Sequence, residues 1–439
     1  MPEQVSFIDV RAAWRRVLLL LPAALALLGA WHGVRWCAGA TLAEYARDLS
    51  TAEAATQLAP QNPHAHLRLA RLRRVSFMPD EMAAALEGYE RAAALAPHDY
   101  LVWAELGRAR GEAGDAEGAV AAFRRGVELA PAYAQPRWLL GNALLRAGRG
   151  DEAFAELRRA ADADPALRPQ VFNLAWQLFD RDMARVVEAV GPGPDARAQL
   201  IGLLIGRGQM EDALGVWEGL GEQGRRENRG TGESLARALQ ERKQFRRALE
   251  VLGEAGAAVD GPEPVAAGAI SNGGFESDIG QAGRKLLGWQ VVPSSAGVQV
   301  ALDSKNAHGG ARSLRVAFNA RSQVEFGNVL QFVVVEPATR YRLGFASRAE
   351  ELKSAALPLV QVLDASTAQP APLGASEPAA AGTYAWQAAS FEFTTGPRTE
   401  AVIVRLTRPG CPDGVCPIFG KIWYDDFDLR RDAGPADAR

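Results

Sequence analysis

Histidine and cysteine are scarce in these 439 residues, five and three respectively, and no sign of charge dominates, with 49 Lys and Arg against 52 Asp and Glu. Each scarcity excludes something. A net charge of −3 and a pI near 6.1 lack the strongly basic domain of an electrostatic nucleic-acid binder. His32, His64, His66, His98 and His308 fall in no His-Glu-x-x-His pattern, and no Gly-x-Ser-x-Gly or Walker-type Gly-Lys-Ser/Thr sequence occurs. Adjacent residues on a strand point to opposite faces, so Asp425 and Asp426 cannot flank one glycosidic bond as an acid and base pair. The sequence therefore reads as a non-enzyme. At 48% hydrophobic and 23% charged it is too apolar for disorder, and its length favours two or three domains.

Long apolar runs are also rare. The one present, Val17 to Val34, is preceded by Arg11, Arg15 and Arg16 and flanked by Trp14, Trp31 and Trp36. At about 1.5 Å per residue it approaches a hydrocarbon core of roughly 30 Å, and cations before it hold an N-terminus in the cytoplasm. The expectation is a retained single-pass anchor in residues 1–40, in a bacterial inner membrane, with everything after Arg35 in the periplasm. A signal peptide cleaved near Ala38-Gly39-Ala40 is the rival reading, although Trp31, His32, Arg35 and Trp36 make a bulky approach to that site. A lipoprotein signal at Cys37 fits less well, because Val34-Arg35-Trp36 lacks small and aliphatic residues.

Residues 41–256 show no strand-like alternation. They are Ala-, Leu- and Arg-rich, helical by period, and broken by Gly- or Pro-marked turns. Pro97, Pro131 and Pro165 recur at 34 residues, with Pro60 37 residues earlier and an insertion near Phe77-Met78-Pro79-Asp80. Leu106, Gly107, Ala119, Phe123 and Pro131 in one period answer to Leu140, Gly141, Ala153, Leu157 and Pro165 in the next, with Trp103 in a further slot of the first period and Ala160 in a further slot of the second. The pattern resembles the tetratricopeptide repeat, whose hairpins stack into an α-solenoid. The small residues Ala70, Gly107 and Gly141 are expected to meet Ala85, Ala119 and Ala153 on the second helices, with Tyr89, Phe123 and Leu157 filling toward the next repeat. Beyond Pro165 the period persists in degenerate form.

In that family the first helix of each repeat lines an inner groove. The resemblance places His64, Arg71, Arg74, Arg108, Trp138, Asn142 and Arg146 there, a basic surface suited to an acidic or C-terminal peptide. The bland alternative is a solvated cationic helix face.

Residues 257–267 are rich in Ala, Gly and Pro, a linker composition. From 268 to 431 the helical period gives way to alternation, as in Leu314, Val316, Phe318 and Val402, Val404, Leu406. Eight or nine short strands with Gly, Pro, Ser and Asn turns predict an antiparallel β-sandwich. Asn272-Gly273-Gly274-Phe275-Glu276, Gly288-Trp289, Gly310 with Ser313 to Val316, Trp386, and Trp423-Tyr424-Asp425-Asp426-Phe427 resemble the galactose-binding-like jelly roll that several carbohydrate-binding module families share. Shared fold does not carry shared ligand.

The resemblance implies a structural calcium held by Glu276 and Asp425, with Asp303 and the Asn306 carbonyl as further ligands. The alternative is that both carboxylates cap turns and bind backbone N–H groups. It also implies that Trp289 and Trp386 are core residues, which leaves Tyr384, Trp423 and Tyr424 as candidates for stacking on a sugar. Four residues with a Gly separate Cys411 from Cys416, which permits a small disulfide loop; zinc, the rival, lacks a nearby His. Residues 432–439 read as a disordered tail.

The fold expected is multidomain α plus β: transmembrane helix, α-solenoid, then jelly roll. The function expected is a non-enzymatic, membrane-anchored periplasmic scaffold that recruits protein partners through its repeats in cell-envelope or exopolysaccharide assembly or export, with polysaccharide as a further partner, no nucleic acid and no catalytic cofactor. The alternative is a glycan-binding, lectin-like protein whose repeats are a spacer.

Overall fold

In the computed structural model, three repeat prolines each hold a side chain six residues further on. Pro60 O bonds His66 Nε2 at 2.9 Å, Pro97 O accepts from Trp103 Nε1 at 3.1 Å, and Pro131 O accepts from Arg137 Nε at 3.0 Å. A proline ends the helix before it, and its carbonyl then fixes the entry of the next. This turn is what makes the period structural.

The structure describes residues 13–75, 79–257, 266–281, 286–292, 297–321, 326–411 and 416–432. Residues 1–12, the Phe77-Met78 part of the expected insertion, most of the 257–267 linker, the interior of the 411–416 loop and the tail beyond 432 lie outside them. The chain divides into two compact units, Met1–Gly191 and Pro192–Arg439.

The first unit is helical: α1 (Ala13–Tyr45), α2 (Leu49–Leu58), α3 (Pro63–Val75), α4 (Pro79–Leu95), α5 (Tyr100–Glu112), α6 (Ala116–Leu129), α7 (Ala134–Arg146), α8 (Gly150–Ala163), α9 (Arg168–Leu178) and α10 (Met183–Val190). Aspartates begin several of them. Asp48 accepts from Thr51 N, Asp99 from Leu101 N and Asp115 from Gly118 N at 2.8–2.9 Å, satisfying amides that a helix start leaves open. Antiparallel pairs α3/α4, α5/α6 and α7/α8 bury one face each. A Cβ on Gly107 would lie 2.8 Å from the Phe123 ring, and one on Gly141 would lie 2.6 Å from Leu157 Cγ. At Gly107 the contact is thus made by Phe123, one turn beyond the expected Ala119, whereas at Gly141 it is shared by Leu157 and the Ala153 carbonyl at 3.1 Å; Ala119 and Ala153 are both buried.

Among the described residues no helix is long and apolar enough to cross a membrane. This overturns the transmembrane anchor, and with it the inner-membrane, periplasm-facing placement. Although α1 is long, it contains Pro22, and its apolar stretch gives way to His32 and Arg35. Its last turns belong to the helical array. A Cβ on Gly39 would lie 2.6 Å from that of Ala59, Arg35 Nη2 donates to Gln57 O at 3.1 Å, and Ala43 is buried.

Among the described residues, the second unit opens with five helices, α11 (Pro194–Gly206), α12 (Met210–Glu218), α13 (Glu222–Glu227), α14 (Arg229–Glu241) and α15 (Phe245–Glu254). Trp217, fully buried, donates through Nε1 to Glu254 Oε2 at 2.7 Å, and Gly232 leaves room for its ring.

Among the described residues, eleven strands follow: β1 (Gly280–Gln281), β2 (Gln290–Val291), β3 (Val298–Asp303), β4 (Ser313–Ala320), β5 (Val329–Val334), β6 (Arg340–Lys353), β7 (Leu359–Asp364), β8 (Ala371–Ala375), β9 (Gly382–Thr394), β10 (Ala401–Thr407) and β11 (Ile418–Arg431). They form a six-stranded sheet, β1-β2-β5-β10-β7-β8, and a five-stranded sheet, β3-β4-β11-β6-β9. All pairs are antiparallel except β1/β2. Alternate residues of both sheets meet in one core that includes Phe275, Trp289, Leu314, Phe345, Val404 and Phe427. The opening loop lies on the closing strand: Phe427 N donates to Gly273 O at 3.0 Å, and a Cβ on Gly273 would stand 2.0 Å from Phe427 O.

On its outer side, the six-stranded sheet carries α15. Phe245 stacks on Phe332 of β5 at 5.8 Å, and Arg246 pairs with Glu336 at 2.9 Å while donating to Val335 O at 3.0 Å. Cys411 and Cys416 are joined by a disulfide with Cα atoms 5.5 Å apart, and Cys37 is exposed and free.

Candidate functional site

In the helical unit, three of the four predicted groove arginines do not stand free. Arg71, Arg74 and Arg108 converge on Glu105 of α5, at 3.3, 3.7 and 3.0 Å, and Arg74 also reaches Glu112 at 3.6 Å. The Glu105 side chain is only 14% exposed, and Arg74 lies 5.9 Å over the Tyr89 ring. Three guanidinium groups against two carboxylates leave a surface less basic than the sequence suggested. Asn142 donates to Trp138 O at 2.8 Å within its own helix, so its amide is partly committed. His64 and Arg146 are exposed, and Trp138 is half-buried. Glu105 was missed, yet it had a signal: it stands 34 residues after Arg71, in the same slot of the next repeat. A hollow of about 710 Å³ lies between α1 and α3, lined by Trp36, Glu44, His64, Leu67 and Arg71.

In the sandwich, two carboxylates shape the loop between β3 and β4. Asp425 Oδ2 accepts from His308 N at 2.8 Å and Gly309 N at 3.2 Å, while Glu276 Oε1 accepts from Ala311 N at 2.8 Å and Arg312 N at 3.0 Å. Gly310, at φ +60° and with no space for a Cβ beside Glu276, lets the loop turn between them. Asp303 anchors its start, accepting from Lys305 N at 2.8 Å, Asn306 Nδ2 at 3.1 Å and Trp423 Nε1 at 2.8 Å. Burial works to raise the Asp303 pKa, but these donors outweigh it and hold it below its usual value. For Asp425, fully buried, burial prevails over its amide donors and the pKa is raised.

Held this way by its backbone, the loop presents the His308 ring outward. Nδ1 meets Asp426 Oδ2 at 2.5 Å, and the ring packs on Trp386 at 5.4 Å between centroids. Below them, β6 and β9 put two pairs of small residues on the outer face, Gly344 opposite Ser390 and Ala346 opposite Ala388. The result is a groove of about 380 Å³ with that floor, His308 and Asp426 on one side, and Arg342, Asp428 and Arg430 on the other. A flat small-residue floor beside a half-buried indole and flanking charged and polar side chains is suited to a polar ring lying against the sheet.

Residues 267–413 match the model of the carbohydrate binding domain family. Residues 112–178 match the tetratricopeptide repeat model. The carbohydrate binding domain match stops short of β11, which completes the five-stranded sheet. The repeats point to protein interaction and the sandwich to carbohydrate binding. No curated protein matches the chain. Among solved structures, one of MamA is 18% identical, covering 37% of this chain and 98% of its own at a TM-score of 0.27. Another, of a MamA RS-1 double mutant, is 20% identical over 31% of this chain and 76% of its own at 0.27. A third, described as "CBM4 structure and function", is 14% identical over 37% of this chain and 99% of its own, also at 0.27.

Several expected site residues lie elsewhere than predicted. Trp423 and Tyr424 are 2% and 1% exposed, so neither can stack on a sugar from solvent. Trp423 is covered by Arg348, 5.3 Å over its ring, and Tyr424 belongs to the core. Tyr384 is half-buried against the core, and its hydroxyl bonds Ser347. Trp386 is the reverse case: expected in the core, it lies on the outer face beside His308.

The calcium ligands also separate. Glu276 Oε1 and both Asp425 oxygens accept from backbone amides, and Asp303 with Asn306 forms a second cluster, in which Asn306 Oδ1 accepts from Arg348 Nη1 at 2.6 Å. Amide donors aimed at carboxylates are the wrong partners for a cation. No group of three or more His, Cys, Asp or Glu side chains among the described residues is placed to hold a metal ion. These residues do not fit calcium.

Proposed function

We propose that this chain is a non-enzymatic adaptor that binds a glycan through the outer face of its five-stranded sheet and a protein partner through its helical repeats. The observation that carries the glycan reading is the groove floored by Gly344, Ala346, Ala388 and Ser390, with Trp386 held by His308 at its side. The match of 267–413 to a carbohydrate binding domain supports it. A role in exopolysaccharide assembly or export is a narrower form of this proposal, supported by the pairing of repeats with a sugar-module fold.

Screening the full chain and its Trp386→Ala variant on a glycan array tests the reading. Specific binding by the parent that falls at least tenfold in the variant is expected. A parent that retains no glycan, or a variant that binds as well, removes it.

The reading of the repeats as a docking surface rests on Arg71, Arg74 and Arg108, whose three cations face two carboxylates and so favour an acidic partner segment. Affinity purification with the Arg71→Glu/Arg108→Glu double variant tests it: acidic partners retained by the parent should be lost.

A further inference from the structure

On the inner face of β9 the residues run Phe393, Phe391, Ala389, Gln387, then Tyr384 after a register shift. Phe391 and Phe393 fill the space between the sheets. Ala389 and Gln387, opposite Phe345 and Ser347, do not. The seam between β9 and the 376–380 crossing is therefore open as a hollow of about 320 Å³. Ligand pockets span roughly 300–1,000 Å³, so this one suits a single ring and not a chain.

Its chemistry is specific. Phe345 and Pro358 give apolar walls, and Ser347, Gln387 and Glu377 give donors and acceptors. Tyr424 lines the hollow, is 1% exposed, and its hydroxyl has no hydrogen-bond partner among the described residues. A buried hydroxyl left unmatched is costly, and a ligand hydroxyl would match it. Glu377 at the wall disfavours an anionic ligand. The same Ala388–Ser390 stretch, exposed on β9, rims both this hollow and the outer groove.

We propose that this seam is a second saccharide site, taking one neutral terminal sugar ring of a glycan whose following residues cross β9 into the outer groove. The proposal rests on the glycan reading above. It makes the sandwich a reader of chain ends as well as of chain length.

Calorimetric titration of the full chain with glucose, galactose, mannose and xylose, and with the corresponding hexasaccharides, tests it in three variants. Ala389→Leu should fill the seam, Tyr424→Phe removes only the hydroxyl, and Trp386→Ala alters only the outer groove. At least one monosaccharide should bind the parent, lose tenfold or more in Ala389→Leu and several-fold in Tyr424→Phe, and stay within twofold in Trp386→Ala.

Absence of monosaccharide binding, or binding unchanged by Ala389→Leu, overturns the seam. If Ala389→Leu fails to fold by circular dichroism, Tyr424→Phe decides, and unchanged affinity overturns it. Hexasaccharide binding that needs Trp386 but not the seam leaves the outer groove standing alone. No saccharide binding at all defeats both readings.

Discussion

Tyr424 and Phe427, three positions apart on β11, both face the core, because the register against β6 shifts between Asp425 and Asp428 and Asp426 sits at φ +51°. The bulge reverses alternation, so Asp425 and Asp426 lie under the same loop, through His308 N and His308 Nδ1. Their assignment to opposite faces, argued from simple alternation, does not hold.

The bulge predicts an inversion of the usual rank of substitutions. Asp426→Gly and Asp426→Ala lose the same contact with His308, but a left-handed backbone favours glycine by about 1 kcal/mol. Urea denaturation should find the glycine variant the more stable of the two.

Glycines of one helix should differ sharply. Gly107→Leu drives its side chain into Phe123 and is expected to cost about 1–3 kcal/mol. At Gly111 a Cβ would meet Ala119 at an ordinary 3.7 Å, so Gly111→Ala should stabilise by about 0.5–1 kcal/mol. Thermal melts of both variants would show shifts of opposite sign.

Glu105→Gln removes the charge on which three arginines converge. The mostly buried carboxylate is part of a network, so a loss of about 1 kcal/mol is expected. Tighter capture of an acidic peptide should accompany it, read by fluorescence anisotropy, because the released guanidinium groups become available.

The Asp303 carboxylate gives stability a defined acid limb. Its folded pKa lies below the unfolded one, near 3.9, so its contribution is complete above that value and is lost as pH falls through the folded pKa. Asp425, raised by burial, runs the other way: its ionised form costs stability at neutral pH, and protonation relieves that cost on acidification. Asp303→Asn should therefore be less stable than the parent at pH 7 and converge with it in acid. Asp425→Asn should not show that convergence. Denaturation curves taken from pH 3 to 7 distinguish them.

Chelation offers a simple check of the sandwich loop. With Glu276 Oε1 and both Asp425 oxygens engaged by backbone amides, EDTA should leave the melting temperature unchanged. A drop of several degrees, restored by calcium, would show that these carboxylates rearrange around an ion.

Much of the architecture was legible because it is periodic. The 34-residue spacing of Pro97, Pro131 and Pro165 gave the hairpins, and the alternation at Leu314, Val316 and Phe318 gave a core strand. The face of Trp386 was equally legible, because counting back from Phe391 and Phe393 puts it outside. Glu105 was available from the same period. What the chain could not disclose locally was the β11 bulge, because one residue in a left-handed conformation depends on what the Gly273 loop and β6 impose. The anchor expectation fails for a related reason: the apolar stretch is local, while the helix containing it runs on to Tyr45 and packs against α2 and α3.

The stacking of Phe245 on Phe332 also bears on how the sandwich can be isolated. Val334 and Ile403, both buried, share the outer face on which Phe332 meets its pairing partner Ile403. A fragment beginning at residue 266 would leave that greasy side uncovered and Glu336 without Arg246. Such a fragment should self-associate, whereas one cut before Pro194 carries its own lid into solution.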